Sequence, residues 1–364
     1  MDKIGSWIVY LACGVAAALL AAQDSMAQTK YRAFDLNRSA PYGGSTATVG
    51  GGQAAGFVID AYTVGNETRY CRRAVYWANA ASAPIVLNSS GSSCSDVRGM
   101  SGVKMVGAIS FLGSGNSHAV LWNGVGVEPS DVSSSGFQNS WANGIHGNQV
   151  VGQASGAASG GHLHAVLWDI QTRAISDLNG EGHLESAALA TNGRQQAGWA
   201  TDEYGEGAHA VLWSGSHHVC VDLNPETFDS SYAYAMDAKS QAGVGILHNS
   251  AHALLWHGQS DSVVDLNPPG FIESYATGVS GDKQVGYAIK ADLRSRALVW
   301  SGKASAYADL QAVLPPALTQ SYATSIDASG DIGGYATEAD GTPHAIIWRP
   351  VPAKGLAGTR LATR

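Results

Sequence analysis

The side chains that could do chemistry in this sequence come at regular distances. Histidine stands at 118, 164, 209, 252 and 344, each time opening a run such as His118-Ala-Val-Leu-Trp122 or His344-Ala-Ile-Ile-Trp348. Imidazole is a common metal ligand and general base, so a ring of histidines invites a metal or catalytic reading. Two units of the same pattern carry arginine instead, Arg73 and Arg296. Arginine is not a normal metal ligand, and equivalent residues of a repeat stand around a ring rather than about one ion. A structural pairing explains these residues better. An aspartate follows the run at Asp131, Asp177, Asp222, Asp265 and Asp309, with Asp35 left for His344 if the chain ends meet. Each His or Arg can then donate a charge-assisted hydrogen bond to its carboxylate. Val86 takes the acidic position of the first unit, so Arg73 needs another partner.

Other clusters are thinner. His217-His218 beside Cys220 has soft-metal donors, against a plainer reading as a loop next to an inward-facing thiol. Asp202-Glu-Tyr-Gly-Glu206 lacks the ordered ligand spacing of a calcium loop and reads as a hairpin turn. No Gly-x-Ser-x-Gly elbow or phosphate loop is present. The sequence thus offers no catalytic residues, no metal ligands and no cofactor motif.

Aromatic residues supply the candidate site. Ser231-Tyr-Ala233, Ser274-Tyr-Ala276 and Ser321-Tyr-Ala323 recur, with Ser140-Trp-Ala142 in a related unit. The candidate ligand-binding residues are therefore Trp141, Tyr232, Tyr275 and Tyr322. Their rings offer a flat apolar surface with a polar handle, suited to stacking on sugars or gripping a peptide. Packing between sheets as scaffold is the alternative. Burial with hydroxyls bonded to backbone would favour scaffold, and exposure around a common depression would favour binding.

These residues need elements to hold them, and the repeat supplies the elements. Tryptophans at 77, 122, 168, 213, 256, 300 and 348 mark seven units of about 45 residues. Each unit combines the Ser-x-Ala run, a run ending in glycine such as Gln149-Val-Val-Gly152, the tryptophan run, and Asp-Leu-Asn or a relative of it. Four short apolar runs between Gly, Asn, Asp and Ser turns are four strands. Seven such units predict an all-β, seven-bladed β-propeller of four-stranded antiparallel blades. The ends complement each other: Ala33-Phe-Asp-Leu-Asn37 is a lone fourth strand, and the last unit stops at Trp348 without one. Pairing them closes the ring and removes an exposed edge.

The composition agrees. Glycine is 45 of 364 residues and charged residues are 14 %, while hydrophobics reach 45 %. This argues against disorder and against a large helical bundle. A net charge of −8 gives a nucleic-acid partner no footprint. Residues 1–27 read as a cleaved signal peptide, with an apolar core from Ile8 to Ala22 and a Ser25-Met-Ala27 cut site. The propeller is expected over 28–348 and a Pro/Gly-containing tail over 349–364. The mature chain is then secreted or periplasmic, with no membrane span. Among its three cysteines, Cys71 precedes a third strand and Cys94 falls in the loop leading to the next unit, on the same face. A Cys71–Cys94 disulfide is expected, with Cys220 a buried free thiol.

The His-Ala-Val-Leu-Trp and Gly-Val-Val-Gly signals at this spacing resemble the HAF-type extracellular repeat family of bacteria, over residues 31–348. The resemblance implies export and a repeat architecture, and brings no catalytic residues with it. The first unit departs from the pattern, with an insertion around Asn66–Arg72 and Tyr76 in place of an aliphatic. A binding or interaction module for glycan or protein is the leading functional expectation. A polysaccharide lyase or hydrolase and a structural envelope component are the alternatives.

Overall fold

The computed structural model describes residues 30–37, 42–64, 67–87, 93–111, 115–133, 136–215 and 220–352. The signal-peptide segment, most of the C-terminal tail and His217-His218 lie outside them. The described chain forms seven antiparallel sheets of four strands each, arranged as a seven-bladed β-propeller. Blades one to six run in chain order over residues 44–86, 93–131, 139–177, 186–222, 230–265 and 273–309. Blade seven takes three strands from residues 320–350, and its outer strand is Tyr31–Asp35, paired with Pro343–Pro350. That pairing closes the ring. The strand runs through Pro350, two residues beyond the boundary read from Trp348, because Tyr31 pairs with Pro350.

The first strand of each blade packs against the first strands of both neighbours, so these seven strands form the inner ring. Seven hydrophobic clusters fill the seven gaps between blades. In one of them Trp256 of blade five packs with Ala197, Ala210 and Leu212 of blade four. Third strands therefore face apolar neighbours on both sides, and their sequences read as unbroken apolar runs rather than alternating ones. All seven repeat tryptophans are among the largest fully buried side chains.

Every inner strand bulges at the same place. The ladder shifts register between Thr46 and Thr48, Val97 and Gly99, Ala142 and Gly144, and at the equivalent point of the other four blades. The motif glycine of the second strand sits opposite this point. A Cβ on Gly152, Gly198, Gly243 or Gly286 would stand 1.9 Å from the carbonyl oxygen of Trp141, Ala187, Tyr232 or Tyr275. Glycine is needed here for close backbone approach.

Cys71 and Cys94 are joined by a disulfide, with Cα atoms 5.4 Å apart. Cys94 lies on the inner strand of blade two, Ser93–Ser101, rather than in the preceding loop, because that strand begins earlier than its apolar pattern suggests. The bond thus ties a third strand directly to the next blade. Cys220 is a free thiol, half-buried rather than buried, since it sits on the outer strand Cys220–Asp222. Among the described residues no helix is long and apolar enough to cross a membrane.

Candidate functional site

The repeated polar residues fold into a scaffold relay. His164 Nδ1 donates to Asp177 Oδ2 at 2.7 Å, and Asp177 Oδ1 accepts the Asn179 backbone N–H at 2.9 Å. Asn179 Oδ1 accepts from the Ser186 hydroxyl at 2.6 Å, and Ser186 Oγ accepts the Ala165 N–H at 3.0 Å. The chain of bonds begins and ends on adjacent residues of blade three after passing through the first strand of blade four. Blades four and five repeat it through His209, Asp222, Asn224 and Ser231, and through His252, Asp265, Asn267 and Ser274. His118–Asp131 at 2.6 Å, His344–Asp35 at 2.8 Å and Arg296–Asp309 at 2.6 Å occupy the same place. Arg73, facing Val86, turns to Asp60 at 3.5 Å. Burial raises the Asp131 pKa, but hydrogen bonds from Ser133 and His118 outweigh it and bring the net value down. Among the described residues no group of three His, Cys, Asp or Glu side chains could hold a metal. Asp202 accepts the backbone N–H groups of Tyr204 and Glu206, as a hairpin turn does.

The aromatic residues behave differently. Trp141, Tyr232, Tyr275 and Tyr322 are all half-buried, on inner strands, just past the loops that join one blade to the next. Tyr275 OH donates to Glu273 Oε2 at 3.2 Å and Tyr322 OH to Gln320 Oε1 at 3.4 Å, so both hydroxyls meet side chains rather than backbone. The structure joins three of the four to rings that the sequence pattern had not singled out. Tyr275 stacks on Tyr287 at 4.8 Å, Tyr287 meets Tyr322 edge-on at 4.9 Å, and Tyr322 stacks on Tyr335 at 4.6 Å. Tyr232 stacks on Tyr234 at 6.3 Å and meets Trp199 edge-on at 6.0 Å. Burial, reinforced by neighbouring tyrosines, pushes Tyr234 and Tyr335 up to about 12. Tyr287 is pushed higher still for the same reason, with Tyr275 and Tyr234 among its neighbours. The rings fall into two contact groups, Trp199–Tyr232–Tyr234 on blades four and five and Tyr275–Tyr287–Tyr322–Tyr335 on blades six and seven, which together make a belt along four successive blades. Trp141 stands apart on blade three, with no ring contact to the belt; Ala187 fills the matching position of blade four.

A depression opens at the blade-four end of the belt. It holds about 530 Å³ and is lined by Glu185, Trp199, Thr201, Asp229, Ser230 and Tyr232, with glycines of the 205–207 hairpin at its edge. Trp199 and Tyr232 provide aromatic faces. Glu185, Asp229, Thr201 and Ser230 provide acceptors and hydroxyls around them. The lining is mainly polar, with the two rings as its apolar part.

The fold and this cleft define a propeller with a recessed face carrying aromatic and acidic groups. No family model matches the chain, and no curated protein matches it in sequence. Solved structures do match in fold. The β-propeller domain of the Trilobed protease from Pyrococcus furiosus, described as having an open velcro topology, is 10 % identical, with 84 % of this chain and 95 % of that one covered and a TM-score of 0.57. The acylaminoacyl peptidase of Pyrococcus horikoshii is 11 % identical over 91 % of this chain and 56 % of that one, with a TM-score of 0.51. TolB from Acinetobacter baumannii is 13 % identical over 70 % of this chain and 62 % of that one, with a TM-score of 0.46. The chain thus spans under two thirds of the length of TolB and of the peptidase. At these identities the likeness concerns the propeller architecture alone.

Proposed function

We propose that this protein is an exported binding module of the HAF-type repeat family that takes carbohydrate on its loop-bearing face. The observation that carries the reading is the half-exposed Trp199–Tyr232 pair, which lines one depression together with Glu185 and Asp229. Sugar rings present an apolar C–H face and an equatorial rim of hydroxyls, which suits an aromatic floor with carboxylate acceptors around it. Tyr275 and Tyr322 extend the same surface along the ring, and their hydroxyls already bond side chains that a ligand could share. Export is supported by the apolar N-terminal segment ending at Ser25-Met-Ala27, and family membership by the seven-fold motif.

The test is a glycan array probed with the protein and with Trp199→Ala and Tyr232→Ala. Selected glycans are expected to bind, with affinity lowered about tenfold or more in each variant while the melting temperature stays near the parent value. A tenfold loss is about 1.4 kcal/mol, at the upper end of the roughly 0.5–1.5 kcal/mol that an aromatic contact is worth beyond its buried area. Unchanged binding in both variants would contradict the site.

A further inference from the structure

The belt does not end at Tyr335. Beyond it, on the third strand of blade one (Glu67–Trp77), stands Arg72, whose side chain is 60 % exposed. Its guanidinium lies over the Phe57 ring, 4.4 Å from the centroid. It is close enough to Tyr335 to pull against the burial that holds that phenol protonated. The residue before it, Cys71, is bonded to Cys94 of blade two, so the backbone carrying Arg72 is anchored to two blades at once.

Its charge is poorly answered. The nearest carboxylate is Asp96, with Nη1 to Oδ2 at 3.7 Å, beyond hydrogen-bond distance. Asp96 is already taken, because Arg98 Nε donates to its Oδ1 at 3.0 Å. Two guanidinium groups therefore share one carboxylate, which leaves about one positive charge at this end of the belt, in a molecule whose net charge is −8. The Phe57 ring supports the Arg72 guanidinium, and the 60 % exposure of the side chain leaves it open to solvent. A planar guanidinium held in this way accepts a carboxylate or sulfate through two parallel hydrogen bonds.

We propose that Arg72 is the anion-recognising end of the tyrosine belt, and that the ligand is an acidic oligosaccharide whose rings lie along Tyr275, Tyr287, Tyr322 and Tyr335. This inference rests on the carbohydrate reading above and adds to it the charge of the sugar. The belt then has a direction. Its blade-four end, with Glu185 and Asp229, faces hydroxyl-rich sugar, and its blade-one end faces the acidic group.

The experiment uses an array of neutral, uronate-bearing and sulfated oligosaccharides, followed by titration of the bound ones at two salt concentrations. The proteins are the full chain, Arg72→Gln and, as a control for net charge, Arg32→Gln on the outer strand of blade seven. The expected result is selection of uronate-bearing or sulfated glycans, the two arms separating the sources of the anion. Arg72→Gln is expected to weaken them about tenfold and flatten the salt dependence, while Arg32→Gln behaves as the parent. Neutral glycans bound as tightly as acidic ones, or acidic glycans indifferent to Arg72→Gln, would overturn this inference and leave the carbohydrate reading standing. An array with no bound glycan of any class would overturn both.

Discussion

Each repeated histidine acts on the scaffold, and its exposure sets how much it matters. His209 is 39 % exposed and its partner Asp222 57 %, whereas His164 and Asp177 are 17 % and 33 % exposed. Exposed ion pairs are worth about 0.2–1 kcal/mol, and better-buried hydrogen-bonded ones more. His209→Ala is expected to lower the melting temperature by about 2 °C, and His164→Ala by more, with glycan binding unchanged in both. Calorimetry on the two variants checks this, and lost binding at an unchanged melting temperature would contradict the structural role. The partner of each histidine was legible in the sequence, because the aspartate recurs at a fixed offset. The rest of the relay was not, since Asn and Ser join it only when a loop brings the next blade alongside. The junction of blades seven and one shows its dependence on serine. Gly44 stands there in place of serine, and the buried Asn37 Oδ1 has no donor among the described residues.

At the scale of the strand, one inserted residue organises each blade. The bulge turns its inserted side chain toward the next blade, and several of these bond across the gap. Asn143 Nδ2 donates to the Ala188 carbonyl at 3.1 Å, Thr277 Oγ1 to Ala323 at 2.8 Å and Thr324 Oγ1 to Thr46 at 2.9 Å. The opposing glycine permits this by letting two backbones come closer than a Cβ allows. Gly243→Ala is expected to destabilise the protein by about 3 kcal/mol or more, because the Cβ meets a carbonyl oxygen that the ladder holds in place. Gly258, a turn residue at φ 85° with open space around it, is the comparison: Gly258→Ala carries only backbone strain, about 1 kcal/mol. Urea unfolding of the pair checks the ranking, and equal losses would contradict it. The glycine was plain in the sequence, but the bulge was not, since one extra residue leaves no compositional mark. The same blindness hid half of the belt. Trp199, Tyr287 and Tyr335 each follow the motif glycine directly, as does Phe57, and a scan of that position would have found them.

The whole molecule turns a near-symmetric ring into an asymmetric face. Blades four to seven carry rings at the inner-strand position or the matching second-strand position, while blade two places Asp96 and Ala108 there. Blade one adds the elongated hairpin that brings Arg72, and the Cys71–Cys94 bond ties it to its neighbour. The architecture and the closing strand were readable because every blade repeats them. The site was readable only in part, because binding groups sit where the repeat is broken. Trp141 had the right type and position, yet Ala187 next door leaves it without the partners that make a surface. The most direct measurement is a crystal structure of the protein with an oligosaccharide that it selects from the array. Sugar rings are expected against Trp199 and Tyr232 or along Tyr275 and Tyr322, on the loop-bearing face. A ligand seated on the opposite face, or on the outer strands, would contradict the account.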